Sequence, residues 1–370
     1  MRKRIKPLDG LRAFAALGVV WIHCWSFCGN PILAFFSLDV YKLIAIVGNG
    51  VDFFFVISGF CMYLMIDKNT FHIATYGRFL FKRFLRIAPA FFVSVMVYAL
   101  LIKSAQPAFP FWYNVLFHFL FLNNIVTGNS ISGPFWSIGV EWHFYMILPV
   151  VIFLGNRVSI VTATLLLSFC SILFFCFCNL GYFNAAWWEN QVVLRFPEFA
   201  CGIIAAHLFL RHKKVPKILS GAIGLIIGFT IMYSGRFMMF TPFLIKAGPV
   251  AFIFKAISYT VMTAGFAFVL FHVVTIPSLL SRLLSTSVMV YLGRISYSIY
   301  LWHSLSFIIL GKLLYRTNYI AFNVVFVFVS VSILTIVIAH FSYRFLESFY
   351  FKIRPSGNSM PLLAKGKFVA

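Results

Sequence analysis

Apolar runs of sixteen to twenty-four residues recur along the whole chain, at 11–28, 48–66, 87–104, 140–155, 158–178, 194–210, 218–234, 256–272, 289–311 and 320–343. A run near twenty residues is long enough for an α-helix to cross a bilayer. Inside hydrocarbon every backbone N–H and C=O must be paired within the protein, which leaves helices or a closed barrel. The pattern therefore predicts an all-α integral membrane protein, a bundle of about ten transmembrane helices. Composition agrees, since 62% of residues are hydrophobic and 10% are charged, against about 25% charged in soluble domains. Two more stretches, 112–126 and 31–47, are too short or too broken to span and read as interfacial or re-entrant segments. Residues 1–348 read as a single transmembrane domain. Residues 349–370 read as a cytoplasmic basic tail, disordered from Pro355 onward.

Thirty Lys and Arg residues against eight Asp and Glu give a formal charge of +22. In a soluble chain that would suggest nucleic acid. Here the cations sit in short runs between apolar segments. With the N-terminus inside, twenty of them fall on the cytoplasmic face and eight on the other. That is the positive-inside bias, and it places both termini in the cytoplasm and nucleic acid outside the partner set. Anionic lipid or an anionic cytoplasmic ligand fits such a face. The basic start, Met1 to Lys6, is followed by no convincing cleavage site, so the first helix reads as a retained signal anchor. Trp112, Tyr113, Trp136, Trp187 and Trp188 fall at outer helix ends, as an aromatic belt does. The seven cysteines read as small apolar residues, with any pairing of Cys24 and Cys28 left open.

Ionisable residues inside such segments point to function. Arg12 and His23 are eleven steps apart in the first run. Eleven steps total about 1100°, so the two share a face, about 16 Å apart along the axis. Asp9 just ahead reads as a first-turn capping carboxylate. The second run, from Gly50 to Phe60, carries Asp52 and ends in Ser58-Gly59-Phe60. Ser58 and Gly59 read as a small-residue helix contact, with no base for Ser58 visible nearby in sequence. Arg83 and Arg86 share a face and suit either a bidentate phosphate clamp or a lipid-phosphate patch. Ser137, Glu141 and Tyr145, at i, i+4 and i+8, line one face at the outer end of a helix. Trp136 and Trp142 stack on a sugar or belong to the belt, and Glu141 reads as an acceptor-orienting group. Arg195 and Glu198 read as a structural pair. Arg294 and His303 put polar groups near the two ends of a late helix.

In their order and spacing these segments resemble the acyltransferase-3 family of integral membrane O-acyltransferases, from Leu8 to about Glu347. The residues that carry the resemblance are Arg12 with His23, the Gly50–Phe60 run, Arg83 and Arg86 followed by Pro89, Trp136-Ser137 with Glu141, and the Tyr291–His303 run. The resemblance implies ten spanning helices in a bacterial inner membrane. It also implies transfer of an acyl group, often acetyl from acetyl-CoA, to a hydroxyl of an extracytoplasmic glycan such as O-antigen or another envelope polysaccharide. It implies that His23 and Arg12 are essential, that Arg83 and Arg86 face the donor, and that Ser58, Gly59 and Phe60 shape the passage. Trp136, Ser137, Trp142 and Glu141 then meet the acceptor, with Asp52 and Arg294 in support. Acetyl-CoA is a co-substrate, so no resident cofactor or metal is expected. The partners are acyl-CoA, glycan and membrane lipid. The chain resembles the stand-alone type, without a C-terminal esterase-like domain. His23 either deprotonates the acceptor or carries the acyl group as an acyl-imidazole. A transporter or flippase for a glycolipid or anionic solute is the rival, but the repeats or paired broken helices it calls for are not visible.

Overall fold

The computed structural model describes residues 4–35, 38–40, 44–65, 73–126, 130–178, 190–211, 221–239, 249–316 and 324–348. In chain order the α-helices among them are α1 (Lys6–Phe27), α2 (Gly50–Met65), α3 (Ile73–Ala105), α4 (Phe111–Phe119), α5 (Trp136–Arg157), α6 (Ile160–Phe177), α7 (Val192–Arg211), α8 (Ala222–Met239), α9 (Pro249–Thr275), α10 (Leu279–Leu284), α11 (Ser287–Arg294), α12 (Ser296–Arg316) and α13 (Val324–Ser342). Eight helices among the described residues are long and apolar enough to cross a membrane, and α2 is apolar but shorter. The only extended structure among the described residues is a two-residue antiparallel pairing of Ala34–Phe35 with Leu38–Asp39, inside the stretch expected to be re-entrant. The tail at 349–370, and Trp187 and Trp188, lie outside the described residues.

Two expected boundaries change in ways that matter for the site. The basic cluster around Arg83 does not precede the helix whose apolar run starts at 87. It belongs to α3, a continuous helix of 33 residues that carries Pro89 inside it and is about 50 Å long at 1.5 Å per residue. Proline is tolerated in a membrane helix because neighbouring groups pair the freed carbonyl. The expected helix 289–311 is instead two, α11 and α12, which meet at Ile295. Asp9 is not the N-cap of α1, a place taken by Ile5, but a first-turn carboxylate of that helix. Asp9 is buried and accepts hydrogen bonds from Arg4 and from Arg12, the latter at 3.3 Å.

The bundle is held by close helix seams. α2 lies along α7, α8 along α9, and α12 along α13, while α1 runs against α2, α11, α12 and α13. The α2–α7 seam is closed by two glycines. A Cβ on Gly59 would stand 2.1 Å from the Phe199 carbonyl oxygen, and one on Gly202 would stand 2.0 Å from that of Val56. Small residues let membrane helices approach this closely, and dispersion then holds them. Outward faces show apolar stripes at helical spacing, such as Phe326, Val329, Ile333, Val337 and Phe341 on α13. The short α4 is tied down by His118, whose Nδ1 lies 2.7 Å from the Asn114 carbonyl and whose Nε2 accepts from the Ile131 N–H. Burial lowers the His118 pKa to about 4, so the ring is neutral in that role.

Candidate active site

Five helices, α12 among them through Ser296, Tyr297 and Tyr300, bring side chains from distant parts of the chain around one cavity of about 90 Å³. Arg12 comes from α1, Ser58 from α2, Arg83 and Arg86 from α3, and Ser137 and Glu141 from α5. The three guanidinium groups are held differently. Arg12 donates to Asp9 and, through Nη2, to the Cys61 sulfur at 3.0 Å. Arg83 is buried, donates to the Met65 sulfur, and lies over the rings of Phe79 at 5.6 Å and Tyr145 at 5.9 Å. Arg86, one turn on, is half-buried at the wall. Three cations facing a single wall carboxylate make a pocket suited to an anionic ligand.

That carboxylate is Glu141. Its Oε1 accepts from Ser58 Oγ at 3.0 Å and from the Tyr145 hydroxyl, and Ser58 Oγ lies 3.4 Å from that same hydroxyl. A carboxylate that Ser58 lacks nearby in sequence thus stands against it across the bundle, 83 residues away. The face shared by Ser137, Glu141 and Tyr145 forms as expected, but it opens on the arginine cavity and not on a separate acceptor surface. Ser137 Oγ and the Tyr300 hydroxyl are 2.7 Å apart at the same wall.

His23 does not line this cavity. Its ring lies tilted by 31° against that of His303, with centroids 5.1 Å apart, and the His303 ring is 5.8 Å from that of the cavity residue Tyr300. His303 is fully buried, and its Nδ1 lies 2.6 Å from the Tyr300 carbonyl. His23 itself is exposed, as is Ser26 about one turn on, and it is nine residues from the exposed Phe14. Nine steps amount to about 900°, which sets the imidazole half a turn from that apolar face. Tyr300 and His303 therefore form a bridge of rings between the arginine cavity and His23.

Other expected site residues lie elsewhere. Gly59 and Phe60 do not touch the cavity. Gly59 seals the α2–α7 seam, and Phe60 packs on Phe209 at 5.8 Å. Trp142 stacks on Phe121 at 4.8 Å. Arg294 is exposed at the end of α11, where a cation suits the negative pole of a helix. Asp52 and Trp136 belong to a second cluster. Arg195 Nη1 donates to Asp52 at 3.1 Å and to Glu198 at 3.0 Å. Its guanidinium lies over Trp136 at 5.1 Å and Tyr259 at 4.9 Å. The Arg195–Glu198 pair is thus half of a buried bridge that joins α7 to α2. Cys24 and Cys28 are both free thiols.

A family model described as an acyltransferase domain matches residues 5–344. Among curated relatives, the chain is 25% identical over 323 residues to “Putative acetyltransferase ORF330” of Acidianus two-tailed virus, covering 84% of this chain and 86% of that protein. It is 26% identical over 381 residues to “Putative O-acetyltransferase SACOL0978” of Staphylococcus aureus (strain COL), covering 93% of this chain but only 57% of that protein. It is 30% identical over 171 residues to “Nodulation protein 10” of Rhizobium leguminosarum bv. viciae, covering 40% of this chain and 44% of that protein. No solved structure matches the chain. With the family match running from one end of the helical bundle to the other, the chain belongs to the acyltransferase-3 family of membrane acyltransferases.

Proposed function

We propose that the protein moves an acetyl group from cytoplasmic acetyl-CoA to a hydroxyl of an extracytoplasmic glycan, such as O-antigen or another envelope polysaccharide, from within a bacterial inner membrane with both termini cytoplasmic. The observation that carries this is the cavity itself: three guanidinium groups from two helices surround a hydroxyl and a carboxylate. Coenzyme A carries phosphates, which arginine forks bind bidentately. Arg83 and Arg86 would hold those phosphates, and Arg12 would stand nearer the thioester. A cavity of about 90 Å³ takes the acyl end of the pantetheine arm and leaves the nucleotide at the basic face.

The acceptor comes from the other side. His23, beyond the Tyr300–His303 bridge, is the group that takes its proton, as an imidazole does near neutral pH. In the net reaction the acceptor oxygen bonds to the thioester carbonyl carbon, the C–S bond breaks, and coenzyme A leaves as the thiol. The relatives named as O-acetyltransferases support the acetyl donor. The test is acetylation of envelope glycans, read by mass spectrometry, in cells carrying His23→Ala at normal membrane abundance. Loss of acetylation is expected, and undiminished acetylation removes His23 from the reaction.

A further inference from the structure

His23 stands apart from the cavity that would hold the thioester, so the acyl group needs a carrier at the cavity. We infer that Ser58 is that carrier: its Oγ attacks the acyl donor, with Glu141 as its base, and holds the acyl group as a serine ester before the acceptor receives it. This rests on the acetyl-transfer reading above.

The geometry has the three parts of an activated nucleophile. Ser58 Oγ donates to Glu141 Oε1 at 3.0 Å. Glu141 is in turn held by the Tyr145 hydroxyl, whose ring lies under the Arg83 guanidinium at 5.9 Å. All four residues line the same cavity, together with Arg12. Arg12 reaches Cys61, which is three residues and about one helical turn from Ser58 on α2. The Arg12 guanidinium is therefore the donor available to an oxyanion formed at Ser58. Depth agrees as well, since Ser58 is midway along the 16-residue α2. An acyl group fixed there is within reach of both leaflets' substrates.

The two half-reactions balance. First, the Ser58 Oγ–H proton passes to Glu141, Oγ bonds to the thioester carbonyl carbon, and the C–S bond breaks. Coenzyme A departs as thiolate and takes a proton from cytoplasmic water. Second, the acceptor oxygen bonds to the Ser58 ester carbonyl while its proton passes along the Tyr300–His303 bridge to His23. The C–Oγ bond breaks, Glu141 returns its proton to Ser58 Oγ, and His23 releases its own to water on the far side.

The experiment is acid-quenched labelling of the purified full-length protein with radiolabelled acetyl-CoA and no glycan, followed by peptide mass spectrometry. Label on Ser58 is expected. It should vanish in Ser58→Ala, slow in Glu141→Gln, and become labile to neutral hydroxylamine in Ser58→Cys, where a thioester replaces the oxygen ester. Ser58→Ala should lose glycan acetylation by roughly 10²-fold or more at unchanged thermal stability in detergent. Label on Cys61, on His23, or nowhere, from a protein that acetylates glycan normally, overturns the carrier and leaves the acetyl-transfer reading standing. Retained transfer by Ser58→Ala does the same. A wild-type protein that neither acetylates glycan nor releases coenzyme A overturns the reading beneath it.

Discussion

Arg83 and Arg86 show how little spacing says about purpose. Three residues apart on a helix, they serve a phosphate ligand or a lipid surface equally well. The burial of Arg83 and its place on a cavity wall with Arg12 favour the ligand, and binding measurements decide. Replacing both with alanine is expected to weaken coenzyme A binding by about tenfold or more per arginine, since hydrogen bonds to charged groups contribute about 1.5–3 kcal/mol. Calorimetry in detergent measures this, and unchanged affinity would reduce the pair to lipid contacts. Arg195 is the structural counterpart. It forms ion pairs with both Asp52 and Glu198. Arg195→Met should cost about 3–5 kcal/mol, because it strands buried carboxylates. Thermal unfolding should show the loss, with part of it recovered by adding Asp52→Asn. The bridge was half legible: an acid in an apolar run needs a cation at its own depth, but sequence distance does not say which one.

At the scale of elements, α2 does two jobs on opposite sides. One face carries Ser58 to the cavity. The other lays Gly59 on the backbone of α7. The reading of Ser58-Gly59 as a small-residue contact was right for Gly59 and incomplete for Ser58. Gly59→Ala should destabilise by about 1–3 kcal/mol through overpacking, because the new Cβ meets the Phe199 carbonyl oxygen at 2.1 Å. Gly77→Ala, exposed inside α3 with nothing within 4 Å of its Cβ, should raise the unfolding temperature slightly, since alanine is the better helix former. If the two variants unfold alike, the seam is looser than described. The length of α3 was misjudged for a related reason. Polar and basic residues ended the apolar run in sequence at 87, yet the helix begins at Ile73. Hydropathy marks where a helix meets hydrocarbon, whereas backbone hydrogen bonding decides where it starts.

For the whole molecule, the charge bias predicts which face of the bundle meets the cytoplasm. Single cysteines placed at Arg157 or Arg282 should be shielded in intact cells from a membrane-impermeant maleimide, relative to the parent protein. Cysteines at Lys103 or Trp112 should be labelled. The reverse pattern would invert the topology and with it the sides assigned to donor and acceptor. The sequence by itself determined that this chain is a helical membrane bundle, because run length and polarity are local quantities that the bilayer reads directly. It also determined that Arg12 and His23 share a face, because helical geometry repeats every turn. Only the tertiary structure decided that Glu141 stands against Ser58 and that a bridge of rings separates His23 from the arginines. It alone decided that Asp52 belongs to Arg195. Those pairings join residues on different helices, and their partners follow from how ridges and small-residue seams interlock in three dimensions, which no period along the chain records.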